Sequence, residues 1–330
     1  MTTYKESGVD IEAGDAAIKK ISTLVKKTFN KNVLIDIGSF GGCYSFSKEN
    51  FNHPVLVSSA DGVGTKLNIA FMGNTHDTIG QCLVNHCTND ILAIGAQPLF
   101  FLDYFAAGKL DQNIFYNVVS GLTKACIENS CVLIGGETAE MPGFYKDNEY
   151  DLSGTIIGAV EKDNMMPSRT IMKGDLLYAL PSTGLHTNGY SLARNVLLKH
   201  YSVDDYVESI GNTLGDELLS IHKSYLHHTK DILSEEWLVG ISHITGGGIV
   251  GNTNRILKDN QSMHIDWDSW EIPAIFNLIK DLGNVPIEDM RHSMNLGLGM
   301  VYVIKKDFSS KFESHMNRLG EKFYNIGFIK

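Results

Sequence analysis

No stretch of this 330-residue chain approaches the run of about 18 apolar residues that a membrane-spanning helix needs, and its opening Met1-Thr2-Thr3-Tyr4-Lys5-Glu6 has no apolar signal core. Cysteine is sparse: Cys43, Cys82, Cys87, Cys126 and Cys131 are an odd number, with no C-x-x-C spacing and no histidine pair at zinc-finger spacing. Neither a disulfide framework nor a structural zinc site is expected, and a reducing, cytoplasmic setting is. Cys82 and Cys126 fall on the apolar faces of expected helices, where a reduced buried thiol is the ordinary outcome. Positive charge is also short, with 28 Lys and Arg against 38 Asp and Glu and a net charge of −10. That balance argues against a nucleic-acid binder or a membrane-surface protein. It leaves small anionic ligands open, since local donors and metal ions hold these. Finally, G-x-x-x-x-G-K-[ST] occurs nowhere, which excludes a P-loop protein.

Hydrophobic residues make up 43% of the chain, enough for two cores at this length, and no internal repeat is visible. Residues 54–60, 98–107, 131–134 and 152–161 read as strands. Ile79, Leu83, Cys87, Ile91 and Ile94 recur at helical spacing over 77–95, and Ile114, Val118, Leu122 and Cys126 do so after Asp111, a plausible N-cap. A polar stretch near 162–173 divides the chain into expected domains at 1–168 and 169–330. The second half reads as strands at 176–180, 239–244, 262–267, 296–304 and 323–329, with helices at 189–199, 213–233, from about 247, 273–282 and 307–319. The cadence favours two α/β sandwiches with mixed or mostly antiparallel sheets and helices on one face.

Chemistry concentrates where glycine meets acid. Asp61-Gly62-Val63-Gly64-Thr65-Lys66 follows the strand-like 54–60. Glycines let backbone N–H groups approach an anion, Asp can hold Mg²⁺, and Lys can offset phosphate charge. A solvated strand-end turn fits the hexapeptide equally well. Asp90, after Asn89 and one turn before Gly95, is either a solvated acid or a paired or metal-binding one. Glu137 follows Gly135-Gly136 and precedes Thr138, again an acid beside a strand and two glycines. Gly38-Ser39-Phe40-Gly41-Gly42 reads as a phosphate wrap or a flexible turn. Gly246-Gly247-Gly248-Ile249-Val250-Gly251 literally fits G-x-G-x-x-G, but without a clear βαβ unit it reads better as an anion seat opening a helix. His186 and His243 stand beside these loops, as buried structural groups or as proton carriers. His227 and His228 read as surface residues on a helix.

Taken in order, these segments resemble the phosphoribosylformylglycinamidine cyclo-ligase (aminoimidazole ribonucleotide synthetase) family. The likeness begins at Tyr4-Lys5-Glu6-Ser7-Gly8-Val9-Asp10 and runs through 61–66, Asp90 to Pro98 and 100–104 to Gly135-Gly136-Glu137-Thr138-Ala139-Glu140-Met141-Pro142-Gly143. It continues in His186-Thr187-Asn188-Gly189-Tyr190-Ser191, 243–248 and 295–300. Leu185, Met294 and Leu296 depart from the residues usual in that family (Pro, Phe and Cys). The resemblance implies a homodimer joined through the N-terminal domains, with ATP near that interface. It also implies ring closure of formylglycinamidine ribonucleotide to aminoimidazole ribonucleotide, with release of ADP and phosphate. Asp61, Asp90 and Glu137 are then Mg²⁺ ligands. Lys5, Gly41, Gly42, Gly62, Gly64, Thr65, Lys66, Asn89, Gly135, Gly136 and Thr138 join those acids at the nucleotide, with Lys5 and Lys66 facing phosphate. His186 and His243 become candidates for proton transfer, Asn188 for orienting the substrate amide, and Gly246 to Gly248 for the ribose phosphate. A need for K⁺ stays open. The rivals are a small-molecule kinase of the same superfamily, a non-catalytic nucleotide sensor and, from the glycine hexapeptide, a dinucleotide oxidoreductase.

Overall fold

The computed structural model of the protein describes residues 11–39, 41–47 and 51–330. The first half runs α1 (Ile11–Val25), β1 (Pro54–Gly62), α2 (Leu67–Gly73), α3 (Asp77–Ala93), β2 (Gln97–Ala107), α4 (Gln112–Glu128), β3 (Val132–Glu140) and β4 (Tyr150–Glu161). The second half begins with β5 (Leu176–Pro181), α5 (Tyr190–Leu197), β6 (Tyr206–Val207), β7 (Asn212–Thr213), α6 (Leu214–Leu218), α7 (Leu226–Thr229) and β8 (Leu238–His243). It ends with α8 (Gly248–Asn254), β9 (Met263–Ile265), α9 (Ala274–Gly283), α10 (Ile287–Ser293), β10 (Leu298–Ile304), α11 (Ser309–Leu319) and β11 (Tyr324–Ile329).

The first sheet has the order β1-β4-β2-β3, antiparallel except for the parallel β2–β3 pair. The second, β8-β10-β5-β11-β9, is antiparallel throughout. Both match the expected mixed or antiparallel α/β architecture. Because β8 pairs only with antiparallel β10, the glycine hexapeptide after it has no βαβ unit, and the dinucleotide-fold rival fails there.

Local sequence explains why the helices sit so close. Asp111 accepts hydrogen bonds from the N–H groups of Asn113 and Ile114, capping α4 as expected. A Cβ on Gly80 of α3 would lie 2.2 Å from the Val118 carbonyl oxygen, and one on Gly121 of α4 would lie 2.2 Å from that of Asp77. The two glycines let the helix backbones touch. Cys82, Cys87 and Cys126 are buried in the same core as free thiols.

The expected continuous helix over 213–233 is not formed. It breaks after Leu218, and the next four-residue helix starts at Leu226. In between, the carbonyls of Ser220, Ile221, His222 and Lys223 accept hydrogen bonds from the side chains of Lys66, Thr183, Asn85 and Asn89 respectively. Tertiary donors replace helical ones, and the segment stays non-helical, held to α3 through Asn85 and Asn89.

Candidate active site

Asp61 is the penultimate residue of β1, and Gly64, with φ +57°, allows the turn that follows the strand. The Gly62 N–H donates to Asp61 Oδ1 at 2.7 Å. On α3, His86 and Asp90 stand one turn apart and face β1, where the Ser59 hydroxyl donates to Asp90 Oδ2 at 2.8 Å. From the second half, β8 ends at His243, whose Nδ1 lies 2.8 Å from Asp90 Oδ1. His86 Nε2 lies 2.8 Å from Asp61 Oδ2. Two imidazole–carboxylate pairs thus share the seam between the halves.

Further groups join the pairs behind the seam. His86 Nδ1 is 2.7 Å from Thr187 Oγ1, which lies 3.3 Å from His222 Nδ1; His222 Nε2 is 3.1 Å from His243 Nε2. His186 stacks on His222 with ring centroids 3.9 Å apart. Burial raises the Asp61 carboxyl, but the His86 hydrogen bond and charge outweigh it and leave it below its ordinary value. Asp90 is likewise held low, because His243 and His86 overcome its burial. Burial lowers His86, yet the two carboxylates win and raise it. His186 and His222 are pushed well below the usual histidine value by burial and by their cationic neighbours. His243 is lowered by burial, with Asp90 opposing.

Asp61, His86, Asp90 and Thr187 open onto a cleft of about 510 Å³ whose walls also include Gly62, Gly64, Asn188 and Arg255. Several expected site residues lie elsewhere. Lys66 is fully buried, and its ammonium donates to the carbonyls of His186 at 3.0 Å and Ser220 at 2.6 Å, so it ties the halves together and does not face the cleft. Thr65 stays at the surface, 3.3 Å from the Ser191 hydroxyl. Asn89 is buried with its amide held by Tyr225 N–H and the Lys223 carbonyl, because its side of α3 turns toward the second half. His186 has φ +64°, which turns its ring inward, and its Nε2 accepts from the Thr183 N–H. His228, expected at the surface, is half-buried and pairs with Glu321 at 2.8 Å; His227 is exposed.

Glu137 is separated from the other two acids. Asp61 pairs with Gly154, Gly154 with Asp103, and Asp103 with Gly136, so three strand spacings lie between Asp61 and the neighbour of Glu137. That is roughly 14 Å within one chain. Glu137 instead lines a cavity of about 570 Å³ with Gly41, Gly42, Gly135, Gly136 and Thr138. Asp103 lies in the same cavity, its carboxyl pushed by burial up to about 7. Lys5 lies outside the described residues. Gly248 is required by packing, since a Cβ there would lie 1.9 Å from the Arg291 carbonyl oxygen of α10. Gly246 approaches Asn188, whose Oδ1 would lie 3.1 Å from an added Cβ.

Sequence reading missed His86, His222 and Arg255. His86 had a signal, its i,i+4 spacing from Asp90. His222 had none, because its partners lie 21 to 133 residues away. For Mg²⁺, the donor chemistry fits at Asp61 and Asp90, whose side chains are 42% and 28% exposed and bring hard oxygen ligands to one cleft.

Two family models cover the chain: the AIR synthase related protein N-terminal domain over residues 50–160 and its C-terminal domain over 172–330. A phosphoribosylformylglycinamidine cyclo-ligase of Thermoanaerobacter sp. (strain X514) is 45% identical over 328 residues, 99% of this chain and 97% of that protein. Another of the same name, from Citrifermentans bemidjiense, is 44% identical over 98% of this chain and 94% of its own length. Among solved structures, thiamine-monophosphate kinase from Stenotrophomonas maltophilia K279a shares the fold at a TM-score of 0.71 and 17% identity, covering 95% of this chain and 93% of that one. Hydrogenase maturation protein HypE in complex with ATP aligns at 0.68 and 18% identity, over 96% of this chain and 86% of that one. With both halves matched and relatives this similar along nearly the full length, the chain belongs to the phosphoribosylformylglycinamidine cyclo-ligase family.

Proposed function

We propose that this enzyme closes the imidazole ring of formylglycinamidine ribonucleotide at the seam between its two sheets. It would consume ATP and release aminoimidazole ribonucleotide, ADP and phosphate. The observation that carries this reading is the near-full-length identity to cyclo-ligases. ATP use draws support from two fold relatives solved with nucleotides, HypE in complex with ATP and T. maritima PurL complexed with AMPPCP.

The chemistry has one obstacle, an amide oxygen that leaves poorly. Transfer of the γ-phosphoryl group to that oxygen makes it a phosphate ester; the amidine nitrogen then attacks the same carbon and phosphate departs with the oxygen. Such transfer needs alignment and charge neutralisation more than covalent help. Mg²⁺ bound by Asp61 and Asp90 would supply that neutralisation. The Asp90–His243 pair would take a proton from the attacking nitrogen, and Asn188 would orient the amide. Gly41, Gly42 and Gly135 to Thr138, roughly 14 Å from Asp61 within one chain, are the proposed nucleotide cradle and would meet Asp61 and Asp90 across the proposed dimer interface, with Gly246 to Gly248 and Arg255 the seat for the ribose phosphate.

A homodimer through the first sheet is part of the proposal, with domains at 1–168 and 169–330. Its support is the sheet's outer surface, where Leu56 is 62% and Tyr104 38% exposed. A cytoplasmic setting is proposed with it. Among the described residues no helix is long and apolar enough to cross a membrane.

Product analysis tests the reading. Formylglycinamidine ribonucleotide with Mg²⁺ and ATP should yield aminoimidazole ribonucleotide and ADP in equal amounts. A phosphorylated product that never cyclises would favour the kinase rival, and ATP binding without turnover the sensor.

A further inference from the structure

Lys66 is a fully buried cation whose hydrogen-bond partners are two carbonyls and a sulfur. Its Nζ lies 3.0 Å from the His186 carbonyl oxygen, 2.6 Å from that of Ser220 and 3.2 Å from Cys82 Sγ, so each ammonium hydrogen has an acceptor. Among the described residues no carboxylate pairs with it. Burying a charge against dipoles alone is unfavourable, and an apolar side chain would fill the same gap between the halves without that desolvation. Adhesion between the halves does not by itself account for a cation at this point.

What the cation holds is an unusual piece of backbone. His186 has φ +64°, a left-handed conformation that few residues other than glycine adopt and that persists only where the surroundings fix it. The Thr183 N–H fixes its ring through Nε2 at 3.1 Å, and Lys66 fixes its carbonyl. That carbonyl belongs to the peptide leading into Thr187 and Asn188, both on the wall of the cleft. Lys66 itself stands two residues after Gly64, on another part of the same wall. One ammonium therefore ties the Asp61–Gly64 edge of the cleft to the Thr187–Asn188 edge.

We propose that Lys66 is a positioning residue for ring closure: its hold on the His186 carbonyl places Asn188 relative to the Asp61–Gly64 edge, while Lys66 itself touches neither substrate nor nucleotide. The anchor is stiff on its other sides. Cys82 Sγ also accepts from the His222 N–H at 3.4 Å, and Ser220 belongs to the same non-helical segment, so α3 and two loops of the second half converge on Nζ. A lysine suits acceptors grouped about one atom, because its ammonium is a compact point with three donors. The inference rests on the ring-closure reading, in which Asn188 orients the substrate amide.

A double-mutant cycle with a variant structure tests it. Aminoimidazole ribonucleotide formation by the unaltered enzyme checks the ring-closure reading first. Lys66→Met, or Lys66→Gln where Met does not fold, should then lower kcat by roughly 10–10²-fold in folded protein, the size of effect that misplacement by about 1 Å produces, with KM for ATP unchanged. Asn188→Ala should cost the parent enzyme most of its turnover but cost the Lys66 variant little more, because the amide it removes is already out of place; independent sites would instead multiply their losses. A crystal structure of the variant needs no turnover and separates this inference from the reading it rests on. Residue 186 should leave the left-handed region and the 187–188 peptide should shift. Losses that multiply, a raised KM for ATP with kcat kept, or an unmoved 186–188 backbone would each overturn the positioning role.

Discussion

His243 Nδ1 lies 2.8 Å from Asp90 Oδ1, and this contact joins the end of a strand in the second sheet to a helix of the first half. The two residues are 153 positions apart, so the geometry of the cleft depends on how the halves dock. Asp90→Asn keeps the volume but replaces the anion with an amide. It should lower kcat by about 10²–10⁴-fold, the range for loss of a group that assists proton transfer. Steady-state kinetics, with folding checked by circular dichroism, measure this. Turnover within threefold of the parent would remove Asp90 from the chemistry.

Lys66→Met should act on stability. The side chain is fully buried and its ammonium satisfies two carbonyls on the far side of the seam. Each carbonyl left without a partner costs about 1–3 kcal/mol. Urea unfolding should show a loss of about 2–5 kcal/mol, with ATP affinity retained in the folded fraction. Undiminished stability with lost ATP affinity would return Lys66 to the phosphate.

Stability should also fall on acidification. His186, His222 and His243 have pKa values lowered in the folded protein, so below about 6.5 the unfolded chain binds more protons than the folded one. His86 is raised and acts with the opposite sign, its contribution being present in acid and lost as pH rises through its folded value. His76 is lowered as well, while Asp103, raised to about 7, acts in the same sense as His86. Four lowered histidines against these two groups predict a net decline from pH 7 to 5.5, with a limiting slope of about 1.4 kcal/mol per pH unit for each uncompensated proton. His222→Gln should flatten that slope in thermal melts taken across the range. An unchanged slope would mean that His222 titrates alike in both states.

Gly80→Ala tests the helix crossing. An added Cβ would meet the Val118 carbonyl oxygen at 2.2 Å, so α3 and α4 would have to separate. Overpacking of this kind costs about 1–3 kcal/mol, against a small gain from helix propensity. Because α3 holds His86 and Asp90, activity should fall along with the denaturation midpoint. A more stable variant would show that the crossing has slack.

Local chemistry made part of this protein readable. The strand before Asp61, the cap at Asp111 and the period of α3 and α4 each follow from a few adjacent residues, and each stands in the structure. Lys66 was misplaced for the converse reason: a lysine after two glycines looks solvent-facing until carbonyls from residues 186 and 220 are brought to it. The break at residues 219–225 was illegible likewise, since the donors that open it come from Lys66, Asn85, Asn89 and Thr183. Glycine after a strand marked Glu137 and Asp61 alike, but strand order alone decides that they lie at opposite edges of one sheet.

The path of one oxygen atom tests ring closure most directly. Substrate carrying ¹⁸O in its formyl amide carbonyl should, with Mg²⁺ and ATP, transfer that label to inorganic phosphate, one labelled phosphate for each aminoimidazole ribonucleotide formed. Mass spectrometry of the phosphate reads the outcome. Ring product accompanied by unlabelled phosphate would contradict the account, because the amide oxygen would then have left without accepting the phosphoryl group.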